Sequence, residues 1–193
     1  MKVILGSASP RRKEILEQAG IEYEIIVSDC EEIITKSMPV EVVKELSKQK
    51  AEDVLKKALL KYGPQEDLLV IGADTVVAFE DSIYGKPKDR DDAVRMLRSL
   101  SGHVHQVYTG VTLIRGDMRI TFVDCTDVSV YDVSDDEIAG YVDTGEPMDK
   151  AGAYAIQGGF ARYIRGIHGE YNNVVGFPIA RTLNELKKAG IYL

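Results

Sequence analysis

The stretch Ser7-Ala8-Ser9-Pro10-Arg11-Arg12-Lys13 follows the apolar run Val3-Ile4-Leu5 and leads into a helical pattern carried by Ile15, Leu16 and Ala19. Ser9 reads as the N-cap and Pro10 as the first helical residue, so Arg11, Arg12 and Lys13 crowd the first turn. Cations there oppose the macrodipole at about 0.3–1 kcal/mol each, a penalty relieved when an anion meets both the backbone N–H groups and the guanidinium forks. The pattern is that of a phosphate cradle, with a solvated basic turn as the alternative. A second feature is Asp74, set inside the apolar run 68–79, where a carboxylate costs several kcal/mol unless a cation or several donors accompany it. Gly72 just before it allows close backbone approach, as a ligand or metal site requires.

Two lysines are candidate partners for that aspartate. Lys50 lies between Val43 and Val54 on the inner stripe of a long helix, and Lys86 stands in the rigid turn Gly85-Lys86-Pro87. Snorkelling to solvent is the alternative for each. Glu31 and Glu32 supply further carboxylates at the end of a strand. Mg2+ takes oxygen ligands, commonly one or two carboxylates with phosphates and waters, and Asp74 with Glu32 would meet that need. His103, His105 and His168 lack the spacing of a zinc site and read as strand-surface or turn residues. Gln157, followed by Gly158-Gly159, offers a donor and an acceptor on an approachable backbone. A uracil or thymine edge matches such an amide with two bonds; a guanine edge presents a similar pair, so the amide alone does not choose between them.

The elements that must carry these residues follow from periodicity. A strand over 23–27 succeeds the first strand and helix, and a long helix spans 40–61 with Val43, Leu46, Val54 and Ala58 inward. The run 68–79 is strand, interrupted at Gly72-Ala73-Asp74-Thr75. Asp89 and Asp92 cap a helix whose inner face is Ala93, Met96, Leu97 and Leu100. Strands over 104–114 and 120–131 are joined by the break Arg115-Gly116-Asp117, and Ser134 to Glu137 is a capping box for a helix reaching Val142. The segment 144–159 fits neither period, and loops of that length are usually functional or disordered. Strand-like pieces at 163–167 and 171–175 follow, and Pro178 opens a last helix. The fold class expected is α/β, a mixed twisted sheet with flanking helices in two lobes around a cleft.

Of 193 residues 45% are hydrophobic, enough for a substantial core in one large domain or two small lobes. Acidic side chains outnumber basic ones by 31 to 24, a net charge of −7, which is the wrong sign for general adhesion to nucleic acid or anionic membrane. Cys30 and Cys125 have neither paired-thiol nor metal spacing, pointing to a reducing interior. No apolar run approaches the roughly 20 residues of a membrane span, and the N-terminus enters a strand at once without a signal-peptide region. A soluble cytoplasmic protein is expected.

Taken in order, Ser7-x-Ser9-Pro10-Arg11-Arg12-x-Glu14, Gly72-Ala73-Asp74-Thr75-Val76, Gly85-Lys86-Pro87, Met96-Leu97-x-x-Leu100-Ser101-Gly102, Thr109-Gly110 and Gly145-Glu146-Pro147-x-Asp149-Lys150-Ala151-Gly152-x-Tyr154-x-Ile156-Gln157-Gly158 resemble the Maf family over nearly the whole chain. The resemblance implies a single domain over 1–193, a fold similar to inosine triphosphate pyrophosphatases and nucleoside triphosphate pyrophosphatase activity. It also implies a divalent metal, Mg2+ or Mn2+, a cytoplasmic location and often a homodimer. The Gly-Ala-Asp-Thr form with Gln157 resembles the branch acting on dTTP and UTP. By that likeness Asp74 matches the proton acceptor, Arg11, Thr75 and Gln157 the specificity positions, and Ser7, Arg12, Glu32, Lys50 and Lys86 the polar cleft; Glu31 is the alternative to Glu32. The competing functions are the same chemistry on a modified purine such as 7-methyl-GTP, and a nucleotide-binding regulator of cell division without turnover.

Overall fold

Strand β1 (Lys2–Leu5) passes through the Ser7–Ser9 turn into helix α1 (Pro10–Gln18), and a short β2 (Glu24–Ile25) precedes the long α2 (Pro39–Tyr62). The hairpin β3 (Leu68–Phe79) and β4 (Ser82–Tyr84), helix α3 (Arg90–Leu100), and the long strands β5 (Val104–Arg115) and β6 (Met118–Val130) come next. Helix α4 (Asp135–Val142) leads through 3-10 turns at Glu146–Asp149, Ala151–Ala153 and Gly159–Tyr163 to β7 (Ile164–His168), α5 (Tyr171–Val175) and α6 (Ile179–Lys188). The structure, a computed structural model, describes residues 1–193. One sheet runs in the order β2-β1-β3-β5-β6-β7, with β4 paired to β3. It is mixed: β1 is parallel to β2 and β3, whereas β4 and β7 are antiparallel to their neighbours. The expected α/β class with flanking helices holds.

The chain forms two compact units. The first comprises Met1–Asp74, Thr109–Asp124 and Gly176–Leu193, the second Thr75–Tyr108 and Cys125–Val175, so β3, β5 and β6 each contribute to both. In the first unit α2 lies on the sheet, burying Ala51, Val54 and Ala58 against Ile4, Leu68, Val70 and Ile114. Close approach sets this packing. A β-carbon at position 72 would fall 2.6 Å from the Ser47 carbonyl oxygen, and one at 110 would fall 2.3 Å from that of Val43. Glycine is required there because the helix backbone occupies the space a side chain would take. Gly72 therefore admits α2 rather than a ligand, which corrects its reading from sequence. In the second unit α3 contributes Ala93, Met96, Leu97 and Leu100 and α4 contributes Ile138, Tyr141 and Val142 to a core shared with Val77, Val107, Val128, Tyr154 and Phe160.

Caps behave as the sequence indicates at α3, where Asp89 accepts from the Asp92 N–H, and at α4, where Ser134 and Glu137 form a reciprocal box. At α1, Ser9 is the N-cap but its side chain makes no cap bond. Four expectations need correction. The run 68–79 is one uninterrupted strand carrying Asp74, because the Gly72–Thr75 backbone stays in the ladder. The second strand is two residues long: after Ile26, whose N–H still donates to the Leu5 carbonyl, the chain is bound to α2 side chains instead of to the sheet. Residues 171–175 are helical: Asn173, buried, donates to the Val107 carbonyl and to Thr126 Oγ1, satisfying the strands with a side-chain amide where a new ladder was expected. His105 is fully buried rather than on a strand surface, because on β5 it shares the inward phase of Val107.

Candidate active site

The strand-to-helix turn at the start of the chain is held from within. Ser7 Oγ accepts from the Ser9 N–H at 3.2 Å and from Arg12 Nη1 at 3.1 Å, while Arg12 Nε donates to the Gly176 carbonyl at 2.8 Å. Ser7 thus holds the backbone of the residue that opens α1 and orients a guanidinium at the same time. The first turn of α1 contains no acidic residue, so Arg11 and Arg12 stand at the positive end of the helix with no carboxylate from that turn beside them. Burial pushes the Arg12 guanidinium below its ordinary value and Arg11 adds to the fall, while the Asp74 charge pulls it up. An arginine keeps its charge under such shifts, so the turn is a preoriented cation beside a carboxylate. Gly176 was not singled out in the sequence; a carbonyl acceptor leaves no residue-type signal.

Asp74 has found its cation. Lys50 Nζ lies 2.6 Å from Asp74 Oδ1 and 2.9 Å from Glu32 Oε1, so the inward stripe of α2 delivers the ammonium to the strand carboxylate as its spacing indicated. Burial lowers the Lys50 value, but the charges and hydrogen bonds of Asp74 and Glu32 outweigh it and the net shift is upward. Lys50 is therefore an ammonium throughout the neutral range. Of the two sequence candidates, Glu32 is the one in contact with Lys50.

What brings an exposed loop glutamate to that point is a polar stripe on α2. Glu45, Gln49, Asp53 and Lys57 recur every four residues, hence on one helix face, and each grips the segment 27–35. Glu45 accepts from the Thr35 N–H and hydroxyl at 2.8 and 2.6 Å. Gln49 accepts from the Ile33 N–H at 3.0 Å and donates to its carbonyl at 2.6 Å. Asp53 accepts from Ser28 Oγ at 2.9 Å and from the Asp29 N–H at 3.2 Å, and Lys57 donates to the Val27 carbonyl and pairs with Asp29. Glu32 is thus laid over Lys50 by backbone bonds on either side. The four-residue recurrence was legible in the sequence and signals a helix face that carries a partner.

Ser7, Arg11, Arg12, Glu32, Lys50 and Asp74 all belong to the first unit; Thr75, Lys86 and Gln157 belong to the second. Thr75 follows Asp74 on β3 and so points to the opposite sheet face, in phase with Val77, whose side chain joins the second unit's core. Lys86 is exposed between β4 and α3, in a turn tied down where the Gly152 N–H donates to the Gly85 carbonyl at 3.0 Å. Gln157 is exposed at the third position of a turn closed by the Gly158 N–H on the Ala155 carbonyl at 3.1 Å.

The donor set fits a hard divalent cation. Two carboxylate oxygens already converge on one positive centre, the ammonium of Lys50, and no cluster of three or more His, Cys, Asp or Glu side chains exists to cage a metal fully. Carboxylate oxygens are the donor type that such a cation takes, with water and phosphate oxygens completing its shell.

Residues 2–189 match the family model described as Maf-like protein. A protein of Agathobacter rectalis named dTTP/UTP pyrophosphatase is 54% identical over 98% of both chains. Proteins of the same name from Acetivibrio thermocellus and Lachnoclostridium phytofermentans are 49% and 47% identical, over 99% and 100% of this chain and 96% and 97% of their own. A solved nucleoside-triphosphatase (dITP/XTP pyrophosphatase) of Mycobacterium abscessus aligns over 98% of this chain and 96% of its own, with a TM-score of 0.40 at 12% identity.

Proposed function

The chain belongs to the Maf family, and we propose from that premise that it is a nucleoside triphosphate pyrophosphatase hydrolysing dTTP and UTP to the monophosphate and pyrophosphate. The names carried by relatives near half-identity over their full length support the substrates. The observation in the molecule that carries the reading is Lys50, which gathers Asp74 and Glu32 at one point in the unit that also presents Arg12 and Ser7.

Lys50 engages Asp74 Oδ1, so Oδ2 is the oxygen that orients the attacking water and takes its proton. Water adds at phosphorus as the α–β anhydride bond breaks, and pyrophosphate leaves with the bridging oxygen. Arg12, fixed by Ser7 and the Gly176 carbonyl, offers its fork to the charge that grows on that leaving group, together with Arg11, Lys50 and Lys86. Asp74 and Glu32 would hold the divalent cation, which supplies charge neutralisation of phosphate oxygens when bound. Thr75 and Gln157 are the residues for the base, the Gln157 amide matching N3–H and the adjacent carbonyl of uracil or thymine. The reading sets the enzyme among the cytoplasmic nucleotide pool, in keeping with two cysteines that remain thiols.

A triphosphate panel with pyrophosphate detection in the presence of Mg2+ tests the assignment. UTP and dTTP are expected to lead CTP, GTP and 7-methyl-GTP in kcat/KM. A preference for 7-methyl-GTP, or binding of all of them without release of pyrophosphate, contradicts it.

A further inference from the structure

Gln157 sits in a turn whose two ends are held by one buried tyrosine and one glutamate. Tyr141, near the end of α4, is 6% exposed; its hydroxyl accepts from the Ala155 N–H at 3.2 Å and donates to Glu146 Oε1 at 2.7 Å. Glu146 in turn accepts the Gly159 N–H with both carboxylate oxygens at 3.1 Å. Ala155 opens the turn 155–158 and Gly159 follows it, so the pair closes a bracket around Gln157. The carboxylate lies close against the turn: a β-carbon at position 158 would lie 2.2 Å from Glu146 Oε1. Beneath it the ring of Phe160 contacts those of Tyr141 and Tyr154 at 5.1 and 5.2 Å between centroids, and the Tyr154 hydroxyl shares a 2.8 Å hydrogen bond with buried His105. Residues on both sides of Gln157 are thus fixed, while its own side chain faces outward.

We propose that Glu146 and Tyr141 are positioning residues for base selection, holding the 155–158 turn so that the Gln157 amide is presented to the nucleobase in one place. This rests on the pyrimidine reading above. The physical reason is that uracil and guanine both offer a ring N–H beside a carbonyl, so a side-chain amide tells them apart by where it stands, the purine edge reaching farther from the sugar. The two ends of the amide exchange by rotation of its own side chain, but its distance from the base is set by the turn. An amide on a loosened turn can shift to meet either edge, whereas one on a fixed turn meets the first without rearrangement. The bracket and Gln157 belong to the same unit, and the bracket holds the turn that carries the base-reading amide, so its loss should fall on binding of the base.

The test uses the full chain with the variants Tyr141→Phe and Glu146→Gln, each alone and combined with Gln157→Ala. The first removes one hydroxyl without changing ring volume; the second gives the Tyr141 and Gly159 donors an amide with only one accepting end. Each single variant is expected to lower the UTP-to-GTP ratio of kcat/KM about tenfold, the size of one hydrogen bond's net worth, with the change in KM rather than kcat. In the Gln157→Ala background neither should change the ratio further. Amide hydrogen exchange at Ala155 and Gly159 in the nucleotide-free protein should accelerate in both. An unchanged ratio and KM with only a lowered melting temperature overturns the proposal, as does an equal loss in the Gln157→Ala background. A wild type that releases no pyrophosphate from UTP or dTTP instead overturns the pyrimidine reading on which the proposal stands.

Discussion

Lys50 is the residue on which the site's electrostatics turn. Its side chain is 18% exposed and Asp74's 13%, so their mutual attraction is poorly screened, while Glu32 at 49% contributes a weaker, surface-like pair. The raised Lys50 value means that this stabilisation is complete below about pH 10.5 and is lost only as pH climbs above that. Lys50→Met should therefore lower stability by about 1–3 kcal/mol at neutral pH and cut turnover at least a hundredfold. Combining it with Asp74→Asn should restore most of the stability and none of the activity, which thermal denaturation and pyrophosphate release measure separately. This pair could be read from sequence because two independent signals met: an aspartate costly to bury alone and a lysine in phase with Val43 and Val54. The work of Ser7 could not. No residue type marks Ser7 in advance as the acceptor that both the Ser9 N–H and the Arg12 guanidinium use.

At the scale of elements, glycine and buried polar groups decide what periodicity leaves open. Gly72 and Gly110 let α2 sit on the sheet, and that depth is what puts Lys50 within 2.6 Å of Asp74. The strand β5 carries a titratable group in the second unit's interior. Burial lowers the His105 value to about 4, the Asp127 charge opposing the fall. Between pH 6.5 and 4 the unfolded chain binds a proton there that the folded chain does not, so stability decreases as pH drops through that window. At about 1.4 kcal/mol per pH unit, wild type should lose about 2 kcal/mol more than His105→Gln between pH 7 and 5, read as the difference in their denaturant midpoints. The period-2 phase of His105 with Val107 was visible in the sequence and pointed inward. The segment 171–175 was misread because Tyr171, Val174 and Val175 are side chains common in strands, yet the Asn173 amide serves β5 and β6 from a helical turn.

For the whole molecule, the α/β class, the mixed sheet and a division in two follow from the order of patterns, but which segments make up each unit does not. It depends on β3, β5 and β6 each serving both, and pairing between distant strands leaves no local period. The consequence is that neither unit is a contiguous piece of chain. A fragment of residues 1–74 lacks the 109–124 and 176–193 segments of its own unit, and circular dichroism should find it without cooperative unfolding; a cooperatively melting fragment would show that the unit is complete without them. The net charge of −7 likewise says nothing of the site, where Arg11, Arg12 and Lys50 reverse the local sign for a polyphosphate.

The most direct test of the account is Asp74→Asn assayed with UTP and Mg2+ for both nucleotide affinity and pyrophosphate release. Asparagine keeps the shape and a hydrogen bond but cannot take a proton from water, so turnover should fall about 10²–10⁴-fold while UTP still binds within severalfold of wild type. Turnover that survives the substitution would contradict the role given to Asp74.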